Sequence, residues 1–358
     1  MGIDGLWTYE EVKKCERVIK LSQLKKELSI DREAKIAIDS SIIIKANFSV
    51  VWSKIFGNVG DGEANLDNLN EKYIASEVKR MLKESNQKFM RNGIIPIWCM
   101  EGDKTDDKIS SQQYAETYKK DIFELIQYYL KAKKASINDV ESKKRMEKFS
   151  LVDQIIKQME FDTDFIIYDP TKENFSSVYS KFYSLLERTH LRTKLMNKEI
   201  YEIFKELEFK SIRIPEISQA EKLCVILTQI GYCQAVYSTD SDNLVLGAKH
   251  LLIKKKGSKS QYDTEYSLYS YYSILKEFKI TPEKFFLLSV LLGNDFCRGL
   301  KGAGPKRALD LVRDKNIDIY DLDRKNCGDL RPDICLKYLT VSQEERNLVK
   351  ERIILGNY

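Results

Sequence analysis

Six acidic residues stand where a polypeptide can put them to chemical use: Asp39, Glu101, Glu221, Asp240, Asp242 and Asp295. Asp39 ends the apolar run Lys35-Ile36-Ala37-Ile38, Glu101 ends Ile94 to Met100, and Asp240 and Asp242 follow Ala235-Val236-Tyr237. Glu221 falls in the first turn of a helical pattern, and Asp295 follows the apolar stretch Phe285 to Leu292 and Gly293-Asn294. Singly, each has a simpler use: Asp39 could cap a helix, Asp240 could close an Asx turn, and Glu221 could complement a helix dipole. Jointly they would repel one another and take up protons unless cations neutralise them. Oxygen ligands without imidazole or thiolate favour Mg²⁺, with Mn²⁺ as substitute, and two such ions about 4 Å apart suit in-line attack on a phosphodiester.

The elements needed to gather these acids are legible in the same runs. Short apolar segments at 35–38, 94–100 and 235–237 each halt at an acid, and the helical patterns Ile74 to Met90 and Ala220 to Ile230 lead into the second and third. Strands alternating with helices predict an α/β fold with a mostly parallel sheet, whose ligands gather outside the carboxyl ends of the strands. Ser211 to Ile214, His250 to Ile253 and Phe165 to Tyr168 are expected as further strands. From Gly102 to about Lys210 the chain turns charged and helix-prone, with Lys119, Lys120, Lys131, Lys133, Lys134, Lys143, Lys144 and Arg145 among acids. These lysines are either a face for phosphates or the solvated side of surface helices. The expected organisation is 1–102 and 211–312 as the halves of one core, 103–210 as a helical excursion, and 313–358 as a C-terminal helical segment.

Composition bounds the partners. The 358 residues, 43% hydrophobic and 32% charged, suffice for a sizeable core, and a net charge of +5 is compatible with a polyanion. Seven cysteines without a C-x-x-C pair read as reduced thiols of an intracellular protein, and two histidines, His190 and His250, leave a zinc site almost without ligands. Neither a signal peptide nor a bilayer-length apolar run is seen, and Leu6 stands where a myristoylation motif needs Ser or Thr.

Five ordered blocks resemble the structure-specific 5′-nucleases of the XPG/Rad type, which include flap endonuclease, exonuclease 1 and Holliday-junction resolvase relatives. Met1-Gly2-Ile3-Asp4-Gly5-Leu6 with Ile36-Ala37-Ile38-Asp39-Ser40-Ser41 is similar to M-G-I-x-G-L and V-A-I-D-A-S. Met100-Glu101-Gly102 matches F-D-G, and Gln219-Ala220-Glu221-Lys222-Leu223-Cys224 matches E-A-E-A-x-C. Ser238-Thr239-Asp240-Ser241-Asp242-Asn243-Leu244 matches T-E-D-x-D-x-L. Leu291 to Cys297 and Gly302 to Ala308 resemble L-L-G-C-D-Y-x and G-I-G-P-K-R-A.

The resemblance implies a PIN-like nuclease core with a helical arch and a helix-hairpin-helix near 293–312. It makes the six acids the ligands of two Mg²⁺ ions and puts Lys108 near the scissile phosphate. Gly2, Lys45, Lys119, Gly302, Gly304, Lys306 and Arg307 are expected on the DNA side, the glycines opening backbone N–H groups to a phosphate. The implied activity is flap endonuclease or 5′–3′ exonuclease action on DNA with flaps, ends, nicks or branches, in replication, repair or recombination. A junction-resolving relative, an RNA-cutting relative and a DNA-binding scaffold with weakened catalysis are the rivals.

Departures from the family pattern motivate the scaffold. Glu101 replaces an aspartate, and Gln219 replaces a glutamate, keeping a carbonyl oxygen but no charge. Ala115 takes the place of a second basic residue, Lys45 that of a base-stacking aromatic, and the tail Arg352 to Tyr358 lacks the Q-x-x-L-x-x-F-F clamp-binding element. The Lys, Ile and Asn bias and enlarged middle resemble members encoded by large DNA viruses, which would work in a nuclear or cytoplasmic replication site.

Overall fold

The computed structural model describes residues 3–31, 33–56, 71–103, 124–147, 174–189, 203–204, 206–255, 264–313, 317–325 and 329–356. They fall into two compact units, one of residues 1–46, 80–111 and 207–358, the other of 47–79 and 112–206.

The first unit is built on a seven-stranded sheet: β1 (Arg17–Lys20), β2 (Ala34–Asp39), β3 (Ile94–Cys99), β4 (Ser211–Ile212), β5 (Ala235–Tyr237), β6 (His250–Lys254) and β7 (Glu265–Ser270), in the order β1-β7-β6-β5-β2-β3-β4. The five strands from β4 to β6 are parallel, and β7 and β1 add an antiparallel edge. β3 is buried along its whole length and β2 at every position but Lys35, as expected of strands covered on both faces.

From β2 the chain crosses to β3 on one side, while β5 pairs on the other, so the crossover direction reverses between β2 and β5. That reversal opens a crevice at the carboxyl ends of the two strands.

The helices behind the site start and stop for local reasons. Pro282–Leu292 begins at Thr281, whose hydroxyl accepts from the Lys284 N–H at 3.3 Å, and ends at Gly293, φ +96°. Gln343–Leu355 carries a reciprocal capping box between Ser342 and Glu345 and stops at Gly356 in the left-handed region.

The second unit is helical in its described parts. Asp139 caps the helix Val140–Glu147, accepting from the Glu141 and Ser142 N–H groups, and Asn174 caps Phe175–Thr189 through the Ser177 N–H at 2.8 Å. Tyr129 and Phe182 pack 5.4 Å apart in its interior.

The expected strands at 35–38, 94–100, 235–237, 211–214 and 250–253 are present, with the fourth shortened to two residues. The segment 165–168 lies outside the described residues. β1 and β7 were not anticipated. Among the described residues no helix is long and apolar enough to cross a membrane.

Candidate active site

Asp39 is the last residue of β2 and 1% exposed. Its neighbour Ser40 donates to the Cys99 carbonyl at 2.6 Å, pinning the ends of β2 and β3 together. Both Asp39 oxygens accept hydroxyl hydrogen bonds, Oδ1 from Ser41 at 2.9 Å and Oδ2 from Ser238 at 3.1 Å.

Past β5, the Asp240 N–H donates to Ser238 Oγ at 3.0 Å, and Asp240 Oδ1 accepts from the Asp242 N–H at 3.0 Å. The Asx turn considered for Asp240 therefore forms, and it coexists with the residue's place in the cluster. Asn243 Nδ2 donates to the Asp240 carbonyl at 3.0 Å, and Asp242, 2% exposed, opens the short helix Asp242–Val245.

Glu221 lies buried in the first turn of Ala220–Gln229. Gln219, at the N-cap, donates through Nε2 to Glu221 Oε1 at 3.1 Å, while its buried Oε1 accepts no hydrogen bond from the described residues. Asp295 is half-buried in the tight turn closed by the Asn294–Cys297 bridge, directly after Gly293.

The charges of these groups reach one another. Burial first, then the Glu221 charge, push the Asp39 carboxyl up to about 7, against the pull of its two serine hydroxyls. Burial and Glu221, with Asp295 adding to them, push Asp240 up to about 6. Asp39, Glu221, Asp240 and Asp295 thus share one electrostatic site, and Asp242 adjoins it through its N–H bond to Asp240.

Glu101 stands differently, with an exposed side chain. Its carbonyl accepts from Arg213 Nε at 3.1 Å, and the same guanidinium reaches Asp103 Oδ1 at 3.0 Å. Gly102 explains why the backbone can run here: a Cβ would lie 2.3 Å from the Ile217 carbonyl oxygen and 2.6 Å from those of Ile214 and Pro215. Among the described residues, no three His, Cys, Asp or Glu side chains as placed are grouped to hold one ion.

The turn after Pro282–Leu292 joins it to Pro305–Arg313. Gly293 and Gly299, both at positive φ, cross so closely that a Cβ on Gly299 would lie 2.7 Å from the Gly293 nitrogen and from the Leu292 carbonyl carbon. Gly302, φ +75°, and Gly304 face open space beside exposed Lys306 and Arg307. Two bonds from backbone N–H groups clip residues 3 and 4 across the site: Ile3 N–H to the Ser241 side-chain Oγ at 2.7 Å and Asp4 N–H to the Gly293 carbonyl at 3.1 Å.

Gly2, Lys108 and Lys119 lie outside the described residues, and of Lys45 only its place in the helix Ser40–Phe56 is described. Ser41, Ser238, Arg213 and Gly299 were missed as site residues. Asp39-Ser40-Ser41 and Ser238-Thr239-Asp240 carried a signal in the hydroxyls flanking the acids; Arg213 and Gly299 carried none.

Residues 215–295 match the family model of the XPG I-region. Flap endonuclease 1 of Entamoeba histolytica is 36% identical over 132 residues, 36% of this chain and 34% of that protein. A probable flap endonuclease 1 homolog of Danio rerio is 35% identical over 118 residues, 33% of this chain and 32% of that protein. The chain thus spans about a third of the length of the curated relatives it matches.

Among solved structures, flap endonuclease-1 from Methanococcus jannaschii superposes with a TM-score of 0.50 at 15% identity, over 96% of this chain and 91% of that one. The Holliday junction-resolving enzyme GEN1, in complex with product DNA and Mg²⁺, gives 0.50 at 15% identity, over 98% and 68%. These likenesses establish the fold. The chain thus carries an XPG I-region, is similar to flap endonucleases over about a third of its length, and shares the fold of these nuclease structures.

Proposed function

We infer that this protein is a divalent-metal-dependent nuclease that hydrolyses phosphodiesters in branched or 5′-ended DNA. The observation that carries the reading is the crowding of buried carboxyls where β2 and β5 end: burial and the Glu221 charge raise both Asp39 and Asp240, and Asp295 adds to the rise at Asp240. Such crowding is costly unless cations occupy it.

The donor set fits a hard cation. It consists of oxygens alone, and the buried Gln219 Oε1 adds a neutral one that accepts no hydrogen bond from the described residues. Asp39, Glu221, Asp240, Asp242 and Asp295 would hold Mg²⁺ or Mn²⁺, with buried Gln219 joining from within and exposed Glu101 from the rim. Bound ions supply the positive charge against which an in-line displacement at phosphorus develops.

The chain's own groups do the positioning. Serine hydroxyls orient Asp39, the turn at Asp240 orients Asp242, and Lys108 would meet the phosphate. Gly302, Gly304, Lys306 and Arg307 offer exposed N–H and cationic groups for duplex backbone, with Gly2 and Lys45 nearer the cut. Lys119 and the lysines of 103–210 would neutralise a single-stranded 5′ end in an arch. Action in replication, repair or recombination within a reducing compartment, in the nucleus or at a viral replication site, belongs to the same proposal.

The test is cleavage of end-labelled flap, gapped, nicked and four-way DNA with Mg²⁺, Mn²⁺ or EDTA. Ion-dependent cutting of flap DNA, lost in D240N and D242N, is expected; no cutting of any substrate with either ion overturns the reading. The equal fold likeness to a junction-resolving enzyme favours one second reading, for which the four-way arm alone would be cut. Binding without cleavage would identify a scaffold.

A further inference from the structure

Ser238 occupies an unusual place in the hydrogen-bond pattern. It is 2% exposed, one residue past β5, and its oxygen touches groups from both strands that flank the reversal of the sheet. The Asp240 N–H can only donate, so Ser238 Oγ accepts there, at 3.0 Å. Its single proton is then free for Asp39 Oδ2 at 3.1 Å, and a carboxylate that a bound cation would keep ionised can only accept. The chemistry of the partners therefore fixes the direction of both bonds.

The consequence is a relay across the crevice. Asp39 is held on Oδ1 by Ser41 from its own segment and on Oδ2 by Ser238 from the next strand, so its carboxylate plane cannot turn without breaking one of them. The same Ser238 oxygen anchors the backbone of Asp240, whose Oδ1 in turn holds the Asp242 N–H. One hydroxyl couples the orientation of the acid ending β2 to the turn carrying both acids after β5.

We propose that Ser238 is a positioning residue that sets the spacing between Asp39 and the Asp240–Asp242 turn and thereby the affinity of the site for divalent ions. This rests on the proposed reading of the acids as ion ligands. Groups that orient metal ligands in this way change affinity about 10- to 100-fold when removed. Ser41, whose hydroxyl among the described residues bonds to Asp39 and not to the turn after β5, should matter less.

The experiment titrates the metal-stripped full-length protein with Mn²⁺ in a calorimeter, and follows thermal unfolding in EDTA and in Mn²⁺. S238A should bind Mn²⁺ about tenfold more weakly, S41A should lose less, and S238T, which keeps the hydroxyl, should stay close to the parent. In EDTA the melting temperature of S238A should move little, while the rise that Mn²⁺ produces shrinks. If S238A does not give a cooperative transition, Ser238→Cys, similar in size but a weak donor, carries the same expectation of weakened uptake. Binding by S238A as tight as the parent's, or by S238T as weak as S238A's, overturns the role of Ser238. Mn²⁺ isotherms identical in the parent and D39N overturn the ion-ligand reading itself, and the proposal with it.

Discussion

Lys222 and Glu345 form an ion pair of 2.6 Å that joins the helix bearing Glu221 to the helix Gln343–Leu355. The lysine side chain is 6% exposed and the glutamate 27%, and the ammonium also donates to the Lys337 carbonyl at 3.0 Å. Glu345 serves twice, since its other oxygen accepts from the Ser342 N–H in the capping box. Arg346 to Gln229 and Arg352 to Glu216 add further ties between the same two stretches.

The pair is asymmetric, and so are its mutants. E345A strands a buried ammonium and breaks a helix cap, and is expected to cost about 3 kcal/mol. K222M replaces the stem with an apolar one and leaves Glu345 partly hydrated, so it should cost clearly less. Denaturant unfolding of the two variants decides; equal losses would refute the asymmetry.

The acid cluster makes stability depend on pH in an uncommon direction. Carboxyls raised to about 7 at Asp39 and about 6 at Asp240 bind protons more tightly folded than unfolded. Their contribution is present in full below the ordinary aspartate range and is lost as pH rises through those values. The metal-free melting temperature should therefore fall between about pH 4 and about pH 7 and level off above. Mg²⁺ should restore it, and D39N should flatten the profile.

Gln219 moderates that repulsion by donating to Glu221. Q219E turns a donor into a second charge beside Glu221, so in EDTA it should lower the melting temperature, while in Mn²⁺ calorimetry it should tighten binding. A variant more stable than the parent without metal would contradict the assigned amide orientation.

Two glycines of the hairpin should separate cleanly. G302A must adopt a positive φ in open space, a cost of about 1–2 kcal/mol. G299A meets the same φ penalty and a backbone 2.7 Å away, and should lose several times more stability in urea unfolding.

What could be read from the chain alone follows from where information is local. β2, β3 and β5 were legible because strands buried on both faces are written as unbroken apolar runs, and the acids that stop them mark the carboxyl edge. β1 was not, since only Ile19 of Arg17–Lys20 is buried, and β7 mixes serine with tyrosine in a pattern that names no face. All six acids were expected at one crevice from sheet topology and the flanking helices; the exposed position of Glu101 was not legible, because the Gly102 contact that fixes its segment is with residues more than a hundred positions away. The serine relay is likewise tertiary: Ser238 and Asp39 are 199 residues apart.

The clip from Ile3 to Ser241 spans 238 residues, and its neighbour from Asp4 reaches Gly293. Contacts of such sequence separation close late, after the loop entropy they enclose has been overcome. A fragment that stops short of Gly293 cannot make the Asp4 tie, so the turn carrying Asp295 is locked to residues 3 and 4 only in a chain that contains both.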